Sequence, residues 1–347
     1  MSLNIILQQM GVIIILVVIG ILLQKKNVID GLTSKKLSAI VVDVCNPALI
    51  MASILSGNLT ATHKDLLTAI ALGAAFYALL IVLGFLLPRI LRVSPDNRRF
   101  YNLMTVYTNT GFLGIPVARA ILPANAILYV IVINVFYCLL FYTHGVTVLG
   151  HGKNSPSDAT ISDMNASKTP ASDATISDVN ASKAPSSNTV GLGHALKRIL
   201  SPGTLLAVLS LVVFWYGITL PPILANTIEY VGNATVFLSM TLLGVSIARS
   251  KLFESLKDAR IWGYIFLRML LVPVAFVFAM NALGFDPVAT LAMCLMAAVP
   301  VGNLPMIQAE KIGEDTTILS SAIAVTTALS IGTITILMSV FSGMLLA

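Results

Sequence analysis

Two short stretches hold the residues whose types and spacing could bind a ligand. TNTGFLGIPVARAIL at 108–122 carries Asn109, Gly111, Gly114, Pro116 and Arg119 within a run apolar enough to cross a bilayer. VPVGNLP at 299–305 carries Pro300, Gly302, Asn303 and Pro305 in a second such run. Glycine weakens a helix, and proline removes an N–H and clashes with the carbonyl four residues back. Proline also suits the first turn of a new helix. Each stretch therefore predicts two half-helices, restarting at Pro116 and at Pro305. A restarted helix offers free N–H groups and partial positive charge at its N-terminus. Two such tips near the membrane midplane suit an anion, a carboxylate above all, without a buried lysine. Asn109 and Asn303 stand beside the breaks and can donate or accept to orient it. Proline kinks with packed glycines are the plainer alternative, and the recurrence of the break favours a site.

Other polar residues at membrane depth are second-rank candidates. Asp43 lies about two turns into the second predicted span, just before Asn46 and Pro47. A carboxylate there costs about 2.5 to 3.5 kcal/mol on insertion scales, so it faces a cavity or a partner. It is a candidate for ion coupling, or a shallow residue reaching cytoplasmic water. Asn46 joins the substrate-binding candidates. Arg119, about 4.5 Å beyond Pro116 along a helix axis, either pairs with a second carboxylate of the substrate or snorkels outward. Arg268 either pairs with an acid such as Asp43 or snorkels inward. His144 reads as a hydrogen-bonded core histidine rather than a titrating group. Cys45, Cys138 and Cys294 fall in apolar runs at unrelated spacings, so neither a disulfide framework nor a thiolate metal site is indicated. No HExxH, P-loop or nucleophile elbow occurs, and neither an enzyme nor a cofactor is expected.

The elements that must position these residues follow from composition. Hydrophobic residues make up 57% of the 347 and charged residues only 10%, against roughly 25% charged in soluble domains. The apolar runs have the length that about 30 Å of hydrocarbon demands. Spans are predicted at 4–23, 37–56, 66–87, 100–122 and 125–149, then at 203–220, 223–248, 259–281, 286–309 and 317–345. Of the 21 lysines and arginines, only Lys64 falls on one side of that arrangement, with Arg119 and Arg268 inside spans; the others share the opposite side. The positive-inside rule then puts both termini outside. The net charge of +6 is thus a topology signal and not a nucleic-acid patch. No basic residue precedes the first span, and Lys25 and Lys26 follow it, which predicts a retained helix rather than a signal peptide.

A polar tract at 151–193 separates five spans from five. It contains SDATISDMNASKTPA at 157–171 and its near copy SDATISDVNASKAPS at 172–186. So polar a tract cannot bury enough apolar area to offset its ordering entropy, so a flexible cytoplasmic linker is expected. The division is 1–150, a first five-helix repeat; 151–193, the linker; and 194–347, a second repeat. Five spans per half imply opposite insertion, hence an inverted repeat. VCNPALIMASILSG at 44–57 lies on VGNATVFLSMTLLG at 231–244 with an offset of 187, and Pro116 on Pro305 with an offset of 189. The expected fold is an all-α polytopic membrane protein, its ten transmembrane helices forming two inverted five-helix repeats with crossed, broken helices 4 and 9.

These residues also resemble a known family. IGILLQKKNVIDGLTSKKLSAIVVDVCNPALIMASIL, NTGFLGIP, ITLPPILANTIEYVGNATVFLSMTLLGVSIA and AVPVGNLPMIQAEKIGEDTTILSSAIAVTTALS are similar to the auxin efflux carrier family, which includes PIN-type carriers and bacterial malate and malonate permeases. The resemblance implies a ten-helix carrier of organic anions with a scaffold of helices one, two, six and seven and a mobile remainder. Its crossover would comprise Asn109, Gly111, Gly114 and Pro116 with Pro300, Gly302, Asn303 and Pro305. The expected function is secondary transport of a small organic carboxylate, malate-like dicarboxylates favoured, across the cell (plasma or inner) membrane. The expected partners are that anion, the lipid bilayer and a coupling proton or sodium ion; a homodimer stays open, and no nucleic acid is expected. The rival readings are a sodium-coupled bile-acid-type carrier and a non-transporting membrane sensor or scaffold.

Overall fold

The computed structural model describes residues 3–55, 60–150, 202–249 and 259–346. The expected linker with its tandem repeat lies outside the described residues. The helices are α1 (Leu3–Lys25), α2 (Gly31–Leu55), α3 (His63–Ile90), α4 (Arg98–Val106), α5 (Thr110–Ile121) and α6 (Ala126–Gly150). They continue with α7 (Pro202–Tyr216), α8 (Pro222–Arg249), α9 (Ala259–Ala282), α10 (Pro287–Ala298), α11 (Leu304–Lys311) and α12 (Thr317–Leu346). Among the described residues there is no strand, only one isolated backbone bridge. Among the described residues, seven helices are long and apolar enough to cross a membrane: α1, α2, α3, α6, α8, α9 and α12. The segments α5, α7 and α10 are shorter apolar helices. Large apolar side chains such as Ile15, Leu67, Ile90 and Leu283 stand exposed, a surface suited to lipid and not to water.

Local chemistry sets where the helices begin. Thr62 and Asp65 form a reciprocal capping box at the head of α3, the Thr62 N–H donating to the Asp65 carboxylate at 2.6 Å. Asp286 accepts from the N–H groups of Val288 and Ala289, and Pro287 opens α10.

At three prolines inside the helices the preceding turn widens and the helix continues. Wide, five-residue-spaced turns cover Val41–Cys45 in α2, Thr110–Gly114 in α5 and Phe266–Leu271 in α9. Each comes just before a proline: Pro47, Pro116 or Pro273. The residue before the proline donates five back, Asn46 to Val41, Ile115 to Thr110 and Val272 to Leu267. The wide turn makes room for the carbonyl that the ring would strike. A fourth such turn, Phe141–Gly145 in α6, has no adjacent proline.

Two groups of helices emerge from the packing. α8 lies along α1 and α2, and α7 along α2. α3 packs on α4 and α6, α9 on α10, and α10 on α6 and α12. The first group depends on glycine. A Cβ on Gly244 would overlap the Val17 carbonyl oxygen, and one on Gly232 would come within 2.8 Å of the Leu49 Cα. Small residues let membrane helices approach to backbone contact, which is where their packing energy comes from.

Candidate binding site at the meeting of two helix breaks

α4 ends at Val106 and α5 begins at Thr110, while α10 ends at Ala298 and α11 begins at Leu304. The interruptions are therefore at 107–109 and 299–303. The second restart lies within a residue of the expected Pro305. The first does not lie at Pro116: the chain breaks seven or more residues earlier, and Pro116 is absorbed by the wide turn inside α5. Asn109 is the reason. Its side-chain oxygen accepts from the Phe112 N–H at 3.2 Å and its carbonyl from the Gly114 N–H at 3.0 Å, so it caps the new helix before the proline is reached.

The two breaks meet as a short antiparallel bridge between Thr108 and Val301. The Asn109 N–H donates to the Pro300 carbonyl at 2.8 Å, and the Gly302 N–H to the Tyr107 carbonyl at 3.0 Å. The Val301 N–H turns to the hydroxyl of Thr326 in α12 at 3.2 Å. Unwound backbone at membrane depth survives only when protein or a cavity satisfies it, and here each break pairs part of the other's backbone. Pro300 supplies a carbonyl and has no N–H to leave unpaired. Gly302 is required by proximity, since a Cβ there would lie 2.9 Å from the Thr108 carbonyl oxygen and 3.0 Å from that of Tyr107.

Around this bridge the polar groups are incompletely paired. Asn109 is 4% exposed, yet its Nδ2 has no partner among the described residues. The same holds for the buried atoms Thr108 Oγ1, Asn303 Oδ1 and Asn46 Oδ1. Asn46 reaches in from α2: its Nδ2 lies 2.7 Å from where a Gly111 Cβ would be, so Gly111 holds space for that amide. Gly114 likewise admits the Met296 sulfur of α10, 3.2 Å from its absent Cβ. Thr110 donates to Asn134 of α6 at 2.9 Å. Each unpaired buried group costs about 1 to 3 kcal/mol, and a group of them on segments that meet marks a place prepared for something polar.

The charged candidates take unexpected positions. Arg268 is 1% exposed on the wide turn of α9. It neither pairs with Asp43 nor snorkels: its Nε donates to the Thr105 carbonyl at 3.0 Å, and its Nη1 donates to the Ala297 carbonyl. Those carbonyls belong to the last turns of α4 and α10, where backbone oxygens have no helical partner and carry partial negative charge. Asp43 is exposed on the wide turn of α2, which packs on α7 and α8. Arg119 is half-buried and donates to Asn233 of α8 at 3.3 Å. His144 bonds Tyr107 through its Nδ1 at 2.9 Å, which ties α6 to the first break. The ion pair found among the described residues joins Arg99 of α4 to Glu314 in the α11–α12 connection at 2.6 Å.

Asn46, Asn109, Gly111, Gly114, Gly302 and Asn303 thus gather at the breaks; Arg119 and Asp43 stand apart. Sequence reasoning missed Asn134 and Thr326. These polar residues sit singly or in pairs within apolar runs, and nothing in their spacing distinguishes them from hydroxyls that bond their own helix.

Comparison with known proteins agrees with this architecture. No individual curated protein matches the sequence. A family profile described as "Membrane transport protein" matches residues 5–338, nearly the entire chain. Interrupted helices meeting among buried polar atoms, in a chain built of membrane-length helices, are what a solute pathway requires, and this protein belongs to the membrane transport protein family, the auxin efflux carrier family that its sequence resembles.

Proposed function

We propose that the protein is a secondary carrier of a small organic carboxylate, with malate-like dicarboxylates favoured, working by alternating access. The observation that carries this reading is the set of buried, unpaired polar atoms of Asn46, Thr108, Asn109 and Asn303 around the Thr108–Val301 bridge. Two half-helices start there, and no described hydrogen bond uses the N–H of Gly111, Asn303, Leu304 or Met306. Such N–H groups with an amide donor at Asn109 suit a carboxylate. In this reading α4 with α5 and α10 with α11 each make one crossing. The chain then comprises ten crossings in two inverted repeats, with both termini outside.

The two packing groups divide the work. α1, α2, α7 and α8 form the scaffold, and the remaining helices move the site past it. Asn46 belongs to the scaffold yet touches Gly111, so it senses which way the moving part stands. Arg119, on leaving Asn233, is the candidate partner for a second carboxylate, and exposed Asp43 is the candidate residue for ion coupling.

The test is a thermal-shift screen of purified protein against mono-, di- and tricarboxylates and auxin-like acids, since a ligand that binds the folded state raises apparent stability. Asn109→Ala and Asn303→Ala are expected to abolish the shift while melting close to wild type without ligand. Variants that respond to carboxylates as wild type does would move the site elsewhere.

A further inference from the structure

We infer that Arg268 is a built-in cation filling the cation-binding position of the two helix breaks, so that the carrier needs no sodium ion there. The inference rests on the functional reading above and adds its ionic coupling. Its basis is the pair of acceptors that Arg268 uses. Thr105 and Ala297 lie next to the C-terminal residues of α4 and α10, and one guanidinium bonds both carbonyls. Free carbonyls at the C-terminal ends of interrupted helices are the groups that coordinate sodium in secondary transporters. Here a side chain already holds them.

The magnitudes agree. A helix C-terminus carries roughly half a negative charge, so the ends of α4 and α10 together offer about one, which one guanidinium neutralises. The N-termini of α5 and α11 carry roughly half a positive charge each, and neither helix has an acidic residue in its first turn to oppose it. With the negative pair cancelled and the positive pair left, the breaks hold a net field that attracts anions. Without Arg268 the four ends would nearly cancel, and a mobile cation would have to supply the missing charge. No carboxylate among the described residues forms an ion pair with Arg268, and its Nη2 is buried without a partner. An arginine that served only to join two helices would gain more from a neighbouring acid, which would also cancel the field.

The experiment compares wild type with Arg268→Lys, Arg268→Met and Arg268→Ala in sodium chloride and in choline chloride. Two quantities are read: the melting temperature of purified protein without malate, and uptake of labelled malate into proteoliposomes. Wild type and Arg268→Lys are expected to give the same values in both salts, because a fixed charge is present. Arg268→Met and Arg268→Ala are expected to melt about 5 °C lower in choline, a loss of the size expected when a buried charged hydrogen bond is removed. Sodium, or low-millimolar guanidinium, is expected to restore part of that loss, and malate uptake in these variants to become sodium-dependent. A purely structural arginine would lower stability without creating a sodium requirement.

Sodium that stabilises wild type or drives its uptake overturns the inference. So do neutral variants that answer to no cation. If they fail to fold, Arg268→Lys decides, and a sodium requirement in that variant is equally fatal. Absence of malate uptake in every salt, with the melting pattern as expected, would refute the substrate reading and leave the inference standing.

Discussion

At the scale of single residues, Gly302 and Asn109 do different work within the same bridge. Gly302 is there for space. A methyl group at that position would press on two backbone carbonyls that cannot move without losing the bridge. Gly302→Ala is expected to destabilise the protein by at least about 2 kcal/mol, the range found when a packed site is overfilled. Thermal unfolding in detergent checks this, and a melting curve superimposable on wild type would show that the bridge is dispensable. Asn109 is there for chemistry: its oxygen caps α5 while its amide nitrogen is left unpaired. Removing the side chain costs a cap and at the same time relieves an unpaired donor, which is why its loss is expected in ligand binding more than in stability.

At the scale of elements, the first break and Pro116 are separate features. The break is stabilised by the cap at Asn109 and by the partner segment Pro300–Gly302, and the wide turn at Thr110–Gly114 accommodates the proline afterwards. Pro116→Ala is therefore expected to leave residues 107–109 unwound and to keep carboxylate binding, with melting temperature unchanged or raised because an N–H returns to the helix. Hydrogen exchange of the segment 105–112 reads this directly. Protection continuous through Tyr107 to Thr110 in the variant would show that the proline, and not the tertiary bridge, makes the break.

At the scale of the whole molecule, α4 is tied at both ends. Its C-terminus is held by Arg268. Near its start Arg99 makes a forked pair with Glu314 and also bonds the Leu149 carbonyl at the end of α6. The pair is partly exposed, so its coupling energy is expected to be about 1 kcal/mol. Arg99→Ala, Glu314→Ala and the double variant measure it by unfolding, and a coupling indistinguishable from zero would reduce it to a surface contact. Because it bridges α4, α6 and the α11–α12 connection across the long sequence separation, its loss is also expected to raise exchange in the connection more than within α3. Deleting 151–193 is expected to spare malate uptake, since the packing groups meet through helix contacts; a scaffold protein whose linker recruits its partner would lose its function instead.

Much about this protein was legible in the chain alone. Apolar runs of membrane length, one-sided basic loops and two proline–glycine interruptions imply a multi-pass helical protein with paired breaks, because hydrocarbon forces backbone polar groups to pair internally and so restricts the choice to helices. Asn109, Gly111, Gly302 and Asn303 were readable because their types are unusual in such runs. The meeting of the breaks was not readable, nor the displacement of the first from Pro116, nor the turning of Arg268 onto two carbonyls, nor the contributions of Asn134 and Thr326. Each depends on which distant group lies within about 3 Å, the reach of a hydrogen bond. That distance is set by how helices far apart in sequence pack, and local pattern carries no information about it.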